Sequence, residues 1–104
     1  MMLDVRKSDL TVGVIGAGPM GRGIAQIAVA AGIRTILVDS VEATTEDARK
    51  FITGMINRAA EKGAMTAEAA KQSIALLQPA RDIGMLKSAD VVIEAIVEIG
   101  RAHV

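Results

Sequence analysis

Three glycines and one aspartate are the residues of this chain whose types and spacing best suit binding a phosphate-linked nucleotide. Gly16, Gly18 and Gly21 stand in the run Thr-Val-Gly-Val-Ile-Gly-Ala-Gly-Pro-Met-Gly-Arg-Gly over residues 11–23, and Asp39 lies 23 positions after Gly16. The G-x-G-x-x-G spacing is weak by itself, because 10 of the 104 residues are glycine. Its setting strengthens it. Val12, Val14 and Ile15 precede the turn as a buried-type strand, residues 20–31 follow with helical periodicity, and Thr35-Ile36-Leu37-Val38 leads into Asp39. Strand, glycine turn, helix, second strand and terminal acid is the order of a dinucleotide-binding βαβ unit.

Each position in that order has a physical task. Gly16 permits the tight turn, Gly18 has no side chain to hold a pyrophosphate away from the backbone, and Gly21 lets the helix pack closely on the first strand. Ala17 belongs to the same turn. The helix start offers free amide donors and the positive end of its dipole to an anion. Pro19 loses nothing there by lacking an N–H. Asp39 is placed to accept hydrogen bonds from the adenosine ribose and to repel the extra phosphate of NADP, which selects NAD as the cofactor. The alternatives are a glycine-rich turn that binds no nucleotide, or one that takes a flavin or another adenosine ligand.

To present such a turn the chain must build a sheet covered by helices. At 104 residues it is one domain or part of one. Hydrophobic residues make up 51% with a single aromatic, Phe51, so the core has to be aliphatic. Twelve basic and twelve acidic residues give no net charge. Without a basic excess or a base-stacking platform, nucleic acid is not an expected partner. The absence of cysteine excludes disulfides and thiolate chemistry. No metal-ligand pattern is found. No apolar stretch approaches the roughly 20 residues of a membrane span, and residues 1–10 lack the apolar segment of a secretory signal. A cytoplasmic protein with a short leader, residues 1–10, is expected.

In chain order, the patterning predicts a strand at about 11–16 and a helix from Pro19 to Ala31, with Met20, Ile24, Ile27, Ala28 and Ala31 turned to the sheet. Gly32 ends that helix, and a second strand follows at about 34–39. A longer helix, about 41–62, carries Ala48, Phe51, Ile52, Met55, Ile56 and Ala59, with Gly54 inside it marking a kink or a close contact. Gly63 stops it. Thr66 caps a helix at about 67–75, whose Ala70 and Ile74 point inward. Leu77 to Ala80 is a third strand whose Pro79 suits a sheet edge. A helical turn near Ile83 to Lys87 and a fourth strand from Asp90 to Ala95 complete the pattern. The expected fold class is α/β: a Rossmann-type parallel sheet of order 3-2-1-4, incomplete at its C-terminal side, with a helix pair inserted between strands 2 and 3.

The run Gly16-Ala17-Gly18-Pro19-Met20-Gly21-Arg22-Gly23-Ile24-Ala25-Gln26, the Lys62-Gly63 pair and the segment Val91 to Glu98 resemble the NAD-binding domain of L-3-hydroxyacyl-CoA dehydrogenases, including the 3-hydroxybutyryl-CoA and 3-hydroxyadipyl-CoA enzymes. Related β-hydroxyacid dehydrogenases have a shorter segment between strands 2 and 4, whereas 51 residues separate Asp39 from Val91 here. The resemblance implies that Gly16, Gly18 and Met20 line the pyrophosphate, that Asp39 holds the ribose, and that Ala95 and Glu98 approach the nicotinamide. It also matches Lys62 to a position that contacts the acyl-CoA phosphate in some members. A lysine there also reads as a solvated charge complementing a helix end. The implied reaction is reversible hydride transfer between NAD and the 3-hydroxyl carbon of an acyl-CoA.

In that family a His–Glu dyad beyond the fourth strand supplies the base, and a later helical domain closes over substrate and dimerises. No catalytic residue is therefore expected within these 104 residues. His103, the single histidine, has no carboxylate partner in sequence and is expected to be irrelevant to catalysis. Residues 99–104, Ile-Gly-Arg-Ala-His-Val, depart from the family pattern and equal one reading frame of a common sequencing adapter. They are expected to be a non-native tail on a domain spanning 11–98, with Glu98 itself partly encoded by the adapter. The alternative in a different class is a stand-alone module that binds or senses a nucleotide without catalysis.

Overall fold

A computed structural model of the chain describes residues 9–96. The expected tail, together with Glu98 and His103, lies outside them. Four strands, β1 (Thr11–Ile15), β2 (Arg34–Val38), β3 (Leu77–Ala80) and β4 (Val91–Glu94), form one parallel sheet of order β3-β2-β1-β4. Three helices, α1 (Pro19–Ala30), α2 (Glu42–Glu61) and α3 (Ala67–Ala75), and a 3-10 helix at Ile83–Ser88 connect them. The expected order, the inserted helix pair and the edge position of Pro79 are all found. No helix among the described residues is long and apolar enough to cross a membrane.

The strands read as nearly unbroken aliphatic runs because both faces of the central pair are covered. Val12, Val14 and Leu37 pack beneath the α-helices with Ala25, Val29, Ala48, Ile52 and Ile56. Ile36 and Val38 face the other way and meet Leu86 of the 3-10 helix. α2 packs against α1, α3 and β3. The Arg22 guanidinium lies over the Phe51 ring, 4.0 Å from its centre, so the chain's single aromatic ties α2 to α1.

Helix ends follow their local chemistry. Gly32 and Gly63 have φ of 87° and 81°. Each is followed by a residue whose amide reaches back into the preceding helix, Ile33 to the Ala28 carbonyl and Ala64 to the Ala59 carbonyl, both at 2.9 Å. Thr66 caps α3 by accepting the Ala69 amide at 3.0 Å.

Two expectations need correction. The face that α1 turns to the sheet is Gly21, Ala25, Ala28 and Val29, whereas Met20 and Ile27 are 56% and 72% exposed and Ala31 is also exposed. Hydrophobic size misleads here because Gly21, Ala25 and Ala28 let the helix axis approach the sheet, so the neighbouring Met20 and Ile27 fall on the outer side of the helix while Val29 is enclosed. Gly54 makes no close contact: a methyl group built on it would meet nothing within 4 Å.

Candidate cofactor site

The register places the glycine turn beside Asp39. Ile15 pairs with Val38 of β2 on one side and with Glu94 of β4 on the other, so the three C-terminal strand ends lie level. The chain leaves β1 for β2 and later returns to lay β4 on the opposite side. That reversal opens a crevice beyond the strand ends, where ligands bind in open α/β sheets. Gly16 follows β1 with φ of 105°, and its amide donates to the Val38 carbonyl at 2.8 Å.

The three glycines serve for different reasons. A Cβ on Gly16 would be both conformationally strained and 3.0 Å from the Ala95 backbone. A Cβ on Gly21 would fall 1.6 Å from the Gly16 carbonyl oxygen and 3.5 Å from Val14, so the helix rests on the turn itself as well as on β1. Gly18 has an ordinary φ of −71°, and its missing Cβ would touch nothing within 4 Å. Neither strain nor protein packing demands a glycine there. What its bareness does provide is an open approach to the start of α1, which has no side-chain cap and no acidic residue in its first turn. This is the shape and the electrostatics that a pyrophosphate requires, and the residues present fit one.

Asp39 is half-buried at the end of β2 and already organises the turn. One carboxylate oxygen accepts the Ala17 amide and the other the Val41 amide, both at 2.9 Å. It thereby links the glycine turn to the approach to α2. Each oxygen keeps a further lone pair for a ligand hydroxyl.

Two open cavities meet at this place. One, of about 400 Å³, is lined by Gly16, Gly18, Pro19, Met20, Asp39, Thr44, Ala95 and Ile96. The other, of about 560 Å³, runs from Gly16 and Asp39 toward Ser40, Arg81, Asp82 and Ile83. Gly16, Gly18, Pro19, Met20, Asp39 and Ala95 are thus gathered by the fold, with buried Ala17 and Gly21 supporting the turn from behind. Lys62 is not gathered: it is exposed at the far end of α2, a 20-residue helix, about 30 Å long at about 1.5 Å per residue. Ser40, Thr44, Arg81 and Ile96 are lining residues that the sequence reading missed. Strand order could have exposed Arg81, since the residue after strand 3 must stand beside the residue after strand 2.

The match to known proteins covers the same residues. Residues 11–102 match the family model described as 3-hydroxyacyl-CoA dehydrogenase, NAD binding domain. The chain belongs to this family. It is 42% identical over 96 residues to 3-hydroxyadipyl-CoA dehydrogenase of Escherichia coli K12, covering 91% of this chain and 19% of that relative. It is 36% identical to a 3-hydroxybutyryl-CoA dehydrogenase of Mycobacterium tuberculosis, covering 84% of this chain and 30% of that relative. A crystal structure of 3-hydroxybutyryl-CoA dehydrogenase from E. coli K12 superposes with a TM-score of 0.82 at 38% identity, over 86% of this chain and 19% of that one. The chain therefore spans less than a third of the length of these relatives, and that span is the NAD-binding domain.

Proposed function

We propose that this chain supplies the NAD site of an L-3-hydroxyacyl-CoA dehydrogenase, with the catalytic base provided by sequence beyond β4. The observation that carries this reading is the bare, unstrained Gly18 at the uncapped start of α1, with Asp39 across the same cavity. Gly16, Ala17, Gly18, Pro19, Met20 and Gly21 would form the pyrophosphate cradle, and Asp39 would take the ribose hydroxyls. Ala95 and Glu98 would flank the nicotinamide end. When bound, NAD supplies the hydride acceptor for the 3-hydroxyl carbon. Lys62, exposed at the end of α2, is read first as a solvated charge complementing the helix end, with the acyl-CoA phosphate contact as the second reading. The later domain provides the opposite wall, binds the acyl-CoA and makes the homodimer. We place the NAD-binding domain from residue 11 through the segment after β4, in a cytoplasmic enzyme. That its relatives carry the names of dehydrogenases favours this reading over a stand-alone sensing module.

The division of labour has a direct test, which is NADH consumption with acetoacetyl-CoA. The chain extended through its natural downstream sequence is expected to turn over, and the 104-residue chain is expected to be silent. Turnover by the short chain alone would overturn the placement of the base outside it and bring carboxylates such as Glu94 into consideration.

A further inference from the structure

We infer that Arg81 is a latent contact for the 2′-phosphate of NADP, held out of use by Glu42, so that two carboxylates, Asp39 and Glu42, exclude NADP. This inference rests on the dinucleotide reading of the site. An acidic residue at the end of the second strand and a nearby arginine are opposite signals, the first favouring a ribose hydroxyl and the second a ribose phosphate. This chain has both. The Asp39 amide donates to the Ala80 carbonyl at 3.1 Å, so Arg81 begins its course directly beside Asp39. Asp39, Ser40 and Arg81 line one cavity, in which Arg81 is the one cation among the described lining residues.

The neighbouring charges are accounted for by their bonds. Asp82 accepts the Gly84 amide at 2.8 Å and caps the 3-10 helix. Asp39 holds the Ala17 and Val41 amides. Glu42, in the first turn of α2, takes the Arg81 guanidinium at 3.1 Å. With side chains 63% and 75% exposed, that pair is weakly held. A guanidinium prefers the bidentate, doubly charged face of a phosphate to a single exposed carboxylate. What then keeps NADP out is the charge on Asp39 together with the occupation of Arg81 by Glu42.

Glu42→Gln keeps the size and helix propensity of the side chain and releases Arg81. Dissociation constants of NADH and NADPH measured by calorimetry on the chain, on Glu42→Gln, and on Glu42→Gln with Arg81→Ala separate the contributions. The ratio of NADPH to NADH dissociation constants is expected to fall about fivefold in Glu42→Gln, the scale of an exposed ion pair. It should return to its original value when Arg81→Ala is added, and the gain should shrink in high salt. An unchanged ratio in Glu42→Gln, or a gain that survives Arg81→Ala, would overturn the inference while leaving NADH binding, and the dinucleotide reading, in place. Absence of NADH binding by the unmutated chain would instead remove both.

Discussion

Gly18→Val is expected to abolish NADH binding while leaving the chain folded. The substituted atoms enter space that the protein does not use, because nothing lies within 4 Å of a Cβ there and the backbone φ of −71° suits any residue. The folded-state cost is confined to a poorer N-cap and should stay near 1 kcal/mol. The new side chain occupies the open approach to the start of α1, where the pyrophosphate would be held by short charge-assisted hydrogen bonds. Loss of those bonds should lower affinity by at least two orders of magnitude, given about 1.5–3 kcal/mol for each hydrogen bond to a charged group. Calorimetric titration paired with thermal unfolding followed by circular dichroism checks both halves. Retained NADH affinity in a folded Gly18→Val chain would remove the cradle from this turn.

Gly21→Ala, three residues on, is expected to do the reverse and damage the fold first. Its added methyl carbon would lie 1.6 Å from the Gly16 carbonyl oxygen, a backbone atom, and a Cβ is fixed by its own backbone, so no side-chain rotation relieves the clash. α1 must move off the turn that Gly16 and the Asp39–Ala17 hydrogen bond hold in place. Overpacking of this kind costs about 1–3 kcal/mol where side chains can adjust, and more is expected against backbone. For a domain of this size each kcal/mol lowers the melting temperature by about 4–8 °C, so a fall of about 10 °C or more should appear in a thermal scan. An unchanged melting temperature would mean that α1 does not rest on the turn.

These two glycines also show what was readable from sequence. Spacing identified both, and the strand-turn-helix-strand order around them was enough to place the sheet, because aliphatic strands, Gly32, Gly63, Thr66 and Pro79 each carry their own local reason. Less legible was whatever depends on how two elements meet. Met20 and Ile27 look like the buried stripe of α1 by size, yet the helix approaches through Gly21, Ala25 and Ala28, a preference set by the distance between helix and sheet. The Ala17 amide and the Asp39 carboxylate are 22 residues apart and are joined only by the β1–β2 register. Arg81 reaches the site because Val38 pairs with Ala80, a match of two strand ends that periodicity does not report.

The central claim, that this glycine turn and Asp39 form an NAD site, is tested most directly by titrating the unmutated chain with NADH and with NADPH in parallel. Saturable one-to-one binding of NADH, with NADPH at least about tenfold weaker, is the predicted result; tenfold corresponds to about 1.4 kcal/mol, a modest share of what one unfavourable carboxylate–phosphate approach can supply. Equal affinity for the two cofactors would contradict the role given to Asp39, and no saturable binding of either would contradict the site itself.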